Sequence, residues 1–147
     1  MFKHILIPTD GSPLAAKAVK AGIAMAAKLG ARVTAYYARE PLPQVHYGDG
    51  YIIDRHMAAE LDVRGQAAAK SVLDKIGKAA RAAGVRYASL STVERSPYEG
   101  IVAAAKKQKC DVIFIASHGR RGLTGMVLGS VTHKVLSHSK VPVMVYR

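Results

Sequence analysis

The chain has 147 residues, half of them hydrophobic and 22% charged; that is enough for one domain with a buried core and excludes a disordered segment. Its formal charge is +12, from 22 Lys and Arg against 10 Asp and Glu, which points to anionic ligands or partners. A single cysteine, Cys110, excludes an internal disulfide and fits a reducing compartment. No apolar run reaches the ~18 residues of a membrane span, and Met1-Phe2-Lys3-His4 leads into a strand-like segment rather than a signal peptide. The expectation is a cytoplasmic protein with no membrane partner.

Lys3 to Pro8 reads as a short buried strand. Ser12 then caps a helix with Pro13 at its first position. Leu14, Ala18, Ala21, Met25 and Leu29 recur at helical spacing, predicting one apolar face, and Gly30 stops the helix. Arg32 to Ala38 is a second strand. From Arg39 to about Ile53, Pro41, Pro43, Gly48 and Gly50 predict a long loop. A second helix runs from about Arg55 to Ala83 and stops at Gly84, followed by a strand over Val85 to Val93. Ser96-Pro97-Tyr98-Glu99 is a capping box that opens a third helix ending near Lys107. Asp111 to Ala116 is a fourth strand, with Cys110 a small core residue at its start. Ser130 to Ser137 is a fourth helix, and Val141 to Tyr146 a fifth strand.

Strict β-α alternation with near-continuous apolar strands predicts one α/β domain over residues 1–147. It is a doubly wound, Rossmann-like, five-stranded parallel sheet of order 3-2-1-4-5 with four helices. Such sheets bind ligands beyond the carboxyl ends of the strands where the order reverses. That places Thr9-Asp10-Gly11-Ser12 and Ala116-Ser117-His118-Gly119 at one crevice.

The segment after the fourth strand carries the chemistry. Four glycines and two adjacent arginines, Arg120 and Arg121, lead to Gly129-Ser130 at a helix start. Glycines let backbone N–H groups approach a ligand, and a helix N-terminus favours an anion, so the pattern suits a phosphate. From Lys106 to Arg147, eight Lys and Arg face one carboxylate, Asp111. Lys17, Lys20, Lys70, Lys75 and Lys78 read instead as solvated helix faces.

From Ile5-Leu6-Ile7-Pro8-Thr9-Asp10-Gly11-Ser12 to Val141-Pro142-Val143-Met144-Val145-Tyr146, the chain resembles the universal stress protein family. Gly119, nine intervening residues and Gly129-Ser130 match the Gly-x2-Gly-x9-Gly-Ser/Thr signature of its nucleotide-binding branch, with Ala116 in place of the first glycine. The resemblance implies an ATP site with magnesium as companion ion. Asp10 would lie near the ribose and phosphates, with Pro8 and Thr9 on the pocket floor. The backbone of Ala38 would bond the adenine edge. Ala116 and Gly119 would pass close to ribose and phosphates, and Gly129, Ser130, Val131 and Thr132 would cradle the phosphates. It also implies a homodimer through the last strand, an apolar edge.

His118 has no nucleophile or metal partner around it in the pattern and reads as a hydrogen-bonding loop residue. Tyr36 and Tyr37 read as strand packing. The leading function is an ATP-binding, stress-response signalling homodimer with at most slow hydrolysis, since a Walker-type Gly-x4-Gly-Lys-Ser/Thr is absent. The alternative is a stress protein that binds no nucleotide and acts as an interaction scaffold. An activating enzyme would need an adenylating motif, which the sequence lacks. Sequence-specific nucleic-acid recognition is not expected, for want of a recognition helix or stacking surface.

Overall fold

The computed structural model describes residues 1–42, 55–120 and 128–147. Its elements alternate as β1 (His4–Pro8), α1 (Pro13–Leu29), β2 (Arg32–Arg39), α2 (Arg55–Ala82), β3 (Tyr87–Val93), α3 (Pro97–Lys107), β4 (Val112–Ala116), α4 (Ser130–His138) and β5 (Val143–Tyr146). The five strands form one parallel sheet of order β3-β2-β1-β4-β5, as expected from the alternation. Pro41 follows β2, while Pro43, Gly48, Gly50 and Ile53 of the expected long loop lie outside the described residues.

Side chains alternate across each strand, so the sheet has two cores. On one face Ile5, Ile7, Val33, Ala35, Tyr37, Phe114 and Ala116 pack against α1 and α2. On the other, Leu6, Tyr36, Ile113 and Ile115 meet Ile101, Ala104 and Ala105 of α3 and Val135 of α4. β1 and β4 are buried along their whole length, whereas the edge strands β3 and β5 are half-exposed.

Four local expectations change, the first being that β3 starts at Tyr87 rather than Val85, whose N–H bonds back to Ala80 O at the end of α2. The α1 face in contact with the sheet is Ala15, Ala18, Val19, Gly22, Ile23 and Ala26, with Leu14, Ala21, Met25 and Leu29 at its rim. Small residues lead because the helix lies close to the strands. A Cβ on Gly22 would come within 2.7 Å of Ile7 Cδ1 and 3.2 Å of Phe114 Cδ1. Ser12 caps α1 as expected, accepting from Ala15 N–H, and Gly30 ends it at φ 64. Ser96 precedes α3 but makes no side-chain cap bond, and Glu99 accepts instead from the Tyr98 hydroxyl at 3.0 Å. β5 starts two residues late because Ser139 Oγ bonds both the N–H and the carbonyl of Val141, holding that residue in a turn.

Cys110 is a buried core residue, and burial pushes its thiol up to about 12. Its sulfur lies 3.5 Å from His4 Nε2, which also meets Thr34 Oγ1 at 2.8 Å. Burial and the nearby Arg32 lower the His4 pKa, favouring the neutral ring.

Candidate functional site

The crevice forms where β1 and β4 end side by side. Beyond Pro8, Thr9 N–H donates to Tyr36 O at 2.9 Å and Gly11 N–H to Thr9 Oγ1 at 3.1 Å. Gly11 sits at φ 77, a left-handed conformation that favours glycine, and a Cβ there would meet Val72 Cγ2 at 3.2 Å. Asp10 Oδ1 accepts from Ser12 N–H at 2.9 Å, and its Oδ2 accepts from Arg120 N–H at 2.7 Å. One carboxylate thus ties the β1–α1 loop to the segment after β4, a hundred residues on. Gly119 is the residue this contact requires, because a Cβ on it would collide with Asp10 Oδ2.

After β4, Ser117 N–H donates to Tyr146 O, and Ser117 O accepts from Gly129 N–H at 2.7 Å. A Cβ on Gly129 would lie 3.3 Å from Ser117 O and 3.4 Å from His118 Cα, so glycine lets the two backbones meet. The Thr132 hydroxyl, buried, donates to Ala116 O at 2.8 Å. The Gly129 N–H and the Thr132 hydroxyl are thus bonded inside the protein. The first helical bond of α4 runs from His133 N–H to Gly129 O, and the helix has no side-chain cap. The N–H groups of Ser130, Val131 and Thr132 therefore have no partner within the helix, and Ser130 is exposed.

Ala116 and Ala38 are placed by strand geometry. The Ala116 side chain belongs to the core on the α1 and α2 face and is 5% exposed, so its methyl is absorbed by packing rather than projecting into the crevice. β1 pairs with β2 only as far as Pro8 opposite Tyr36, while β2 continues to Arg39. The Tyr36 carbonyl points towards β1 and the Arg39 carbonyl towards β3, bonding Glu94 N–H. With a period of two, the N–H and C=O of Ala38 face the space beyond the end of β1.

Arg120 adds a contact that the pattern did not reveal. Its guanidinium donates to the Tyr37 hydroxyl at 2.8 Å, near Gly11. Tyr36 and Tyr37 are buried strand residues, as expected, yet one hydroxyl reaches the crevice wall; only the tertiary fold brings these two residues together. Arg121 lies outside the described residues. His118 Nδ1 pairs with Ser117 Oγ at 3.0 Å, and its buried Nε2 has no hydrogen-bond partner among the described residues. No group of three or more His, Cys, Asp or Glu there could hold a metal by itself. A depression of about 400 Å³ between α2 and the β2–β3 edge lies elsewhere, and its charges are paired, Arg39 with Asp62 at 2.9 Å and Lys70 with Asp74.

The model of the universal stress protein family matches residues 1–147, the whole chain. The chain belongs to the universal stress protein family. Among curated relatives, universal stress protein MJ0531 of Methanocaldococcus jannaschii is 33% identical over 150 residues, covering 100% of this chain and 83% of that protein. The solved structure of MJ0577 from the same organism superposes with a TM-score of 0.81 at 28% identity, covering 99% of this chain and 95% of the other. A universal stress protein solved in complex with cAMP shares the fold with a TM-score of 0.72 at 23% identity, covering 99% and 97%. No helix among the described residues is long and apolar enough to cross a membrane.

Proposed function

We propose that this universal stress protein binds ATP in the crevice between the β1 and β4 loops and works as a nucleotide-dependent signalling or interaction homodimer in the stress response. One observation supports the reading: the Asp10 carboxylate joins the β1 loop to the segment after β4, beside which the uncapped start of α4 lies. The free backbone edge of Ala38 matches an adenine edge. Asp10 would take the ribose, with Pro8 and Thr9 on one side and Ala116 and Gly119 on the other. The uncapped N–H groups of Ser130, Val131 and Thr132, set by Gly129, suit phosphates through both hydrogen bonds and the helix dipole. The fold-mate that holds cAMP is consistent with an adenine nucleotide here.

Asp10 keeps capacity for a ligand although two backbone N–H groups already use it, because a carboxylate offers about four lone-pair sites. A magnesium ion would be held chiefly by the phosphates, with Asp10 reached through water, the usual pattern for that ion. Arg120 would supply compensating charge.

The homodimer forms through β5. Pro142 and Tyr146 carbonyls face β4, so the alternation leaves the N–H and C=O of Val143 and Val145 on the open edge, a template for a second copy. Val145→Pro removes one outward donor and should give a monomer by light scattering at micromolar concentration; a dimer persisting in this variant places the interface elsewhere.

The deciding experiment is mass spectrometry of nucleotide co-purifying with the protein, followed by titration with a fluorescent ATP analogue. Saturable binding to a folded protein is expected. Its absence sinks the reading in favour of a scaffold that holds no nucleotide.

A further inference from the structure

We infer that the end of the sheet opposite the crevice is a docking face for the phosphate backbone of a nucleic acid, read without sequence preference. Because the sheet is parallel, all five strands begin at this end. Each is preceded or opened by an exposed cation: Arg86 at β3, Arg32 at β2, Lys3 at β1, Lys109 at β4 and Lys140 at β5. The pairing registers put these five within two residues of one level. They make a row about 19 Å long at the ~4.8 Å strand spacing. The last turns of α1, α2 and α3 add Lys28, Arg81, Lys106 and Lys107, all exposed.

Nine cations therefore meet one carboxylate, Asp111, and both its oxygens are occupied by the backbone N–H groups of Lys3 and His4. None of the nine takes part in an ion pair among the described residues. Eight of the chain's net +12 charges are gathered on this one face.

Helix dipoles do not account for the excess. Four helix C-termini end here, each equivalent to about half a negative charge, so roughly two charges are offset and about six remain. Arg32 and Arg86 sit at adjacent register positions, since Val33 pairs with Tyr87, and like charges side by side are unfavourable. A bound polyanion relieves that repulsion.

The shape of the array selects the occupant. Cations about one strand apart across the whole end of the sheet, reaching out from both faces because Lys3 alternates with Arg32 and Arg86, meet a string of phosphates wherever it crosses, and duplex DNA carries one charge per ~1.7 Å of axis. Met1, exposed two residues from Lys3, is a lone apolar side chain beside the row, too little to hold a lipid interface or to read bases, so affinity rests on phosphates. The inference does not depend on the nucleotide reading, because the crevice lies at the other end of the strands.

The test is fluorescence anisotropy with labelled 30-nucleotide single strands and duplexes of two unrelated sequences, titrated with the full chain at several salt concentrations. Lys3→Gln/Arg86→Gln/Lys140→Gln is compared with Lys17→Gln/Lys20→Gln/Lys75→Gln, which removes the same charge from exposed helix positions, circular dichroism checking both folds. The basal variant should bind at least tenfold more weakly and lose about two units of salt slope on single strands, at ~0.7 per phosphate contact. The control should stay within about twofold of the parent, and both sequences should bind alike. Equal losses in the two variants, or binding to phosphatidylserine vesicles with none to the oligonucleotides, would overturn the proposal.

Discussion

The two ends of one sheet differ in kind. Where the strands end, helices begin, and the chemistry is made of backbone N–H groups, two close-packed glycines and a shared carboxylate. Where the strands begin, helices end, and the chemistry is made of long cationic side chains. A parallel doubly wound sheet imposes this asymmetry, because every crossover helix runs against its strands and points its positive pole at the crevice. Backbone groups are rigid and directional, so that end can recognise one small ligand. Solvated cations are mobile and non-directional, so the other end can attract only charge.

The strongest way to break the contrast is at Gly129. Gly129→Val puts a Cβ 3.3 Å from Ser117 O and 3.4 Å from His118 Cα, with two methyls beyond it, and so presses the start of α4 away from that backbone. Binding of a fluorescent ATP analogue should fall at least 100-fold, with oligonucleotide binding unchanged. Loss of both would mean that the two ends are not independent.

Asp10→Ala removes the acceptor of Ser12 N–H and Arg120 N–H. Analogue affinity should drop about tenfold, and stability should fall by about 1 kcal/mol in urea melts, because the Ser12 N–H is a part-buried donor while the exposed Arg120 N–H turns to water. Unchanged affinity would reduce the carboxylate to a turn brace.

Gly22→Ala tests the packing that fixes both ends to one sheet. Helix propensity favours alanine by about 1 kcal/mol, but the new methyl overlaps Ile7 Cδ1, and overpacking costs about 1–3 kcal/mol. A net loss near 1 kcal/mol is expected, with Ile7 shifting to make room. A net gain would show that α1 has slack.

The smallest effect concerns pH at the basal end. Cys110 is held near 12 when folded against 9.0 as its ordinary value. The unfolded chain gives up that proton first, so stability falls as pH rises from about 9 towards 12. His4 acts in the opposite direction. Its folded pKa is lowered from 6.5, so the unfolded chain binds the proton first, and stability falls as pH drops below about 6.5. In Cys110→Ala the decline of the urea midpoint between about pH 9 and 10 should flatten, while the decline above pH 10 from the buried Tyr87 and Tyr36 and the acid decline remain.

Much of this was legible along the chain. Alternating apolar runs and punctuation by Ser12-Pro13, Gly30, Gly84 and Pro97 determined the element order, and crossover handedness limited the topology. The rule that doubly wound sheets bind beyond their strand ends pointed to Asp10 and Gly119, and the resemblance to the family's glycine signature pointed to Gly129-Ser130. Local signals cannot say which hydrogen-bonding groups remain available, because that depends on partners far away in sequence. Gly129 N–H is taken by Ser117, the Thr132 hydroxyl by Ala116 and the Asp10 carboxylate by Arg120, and none of these bonds has a local signature. The fate of the Ala116 methyl is likewise a packing outcome, set by which face of β4 it occupies. The chain alone fixed how many cations there are. Only parallel pairing aligned five of them in a row, because strand register converts positions scattered from Lys3 to Lys140 into neighbours.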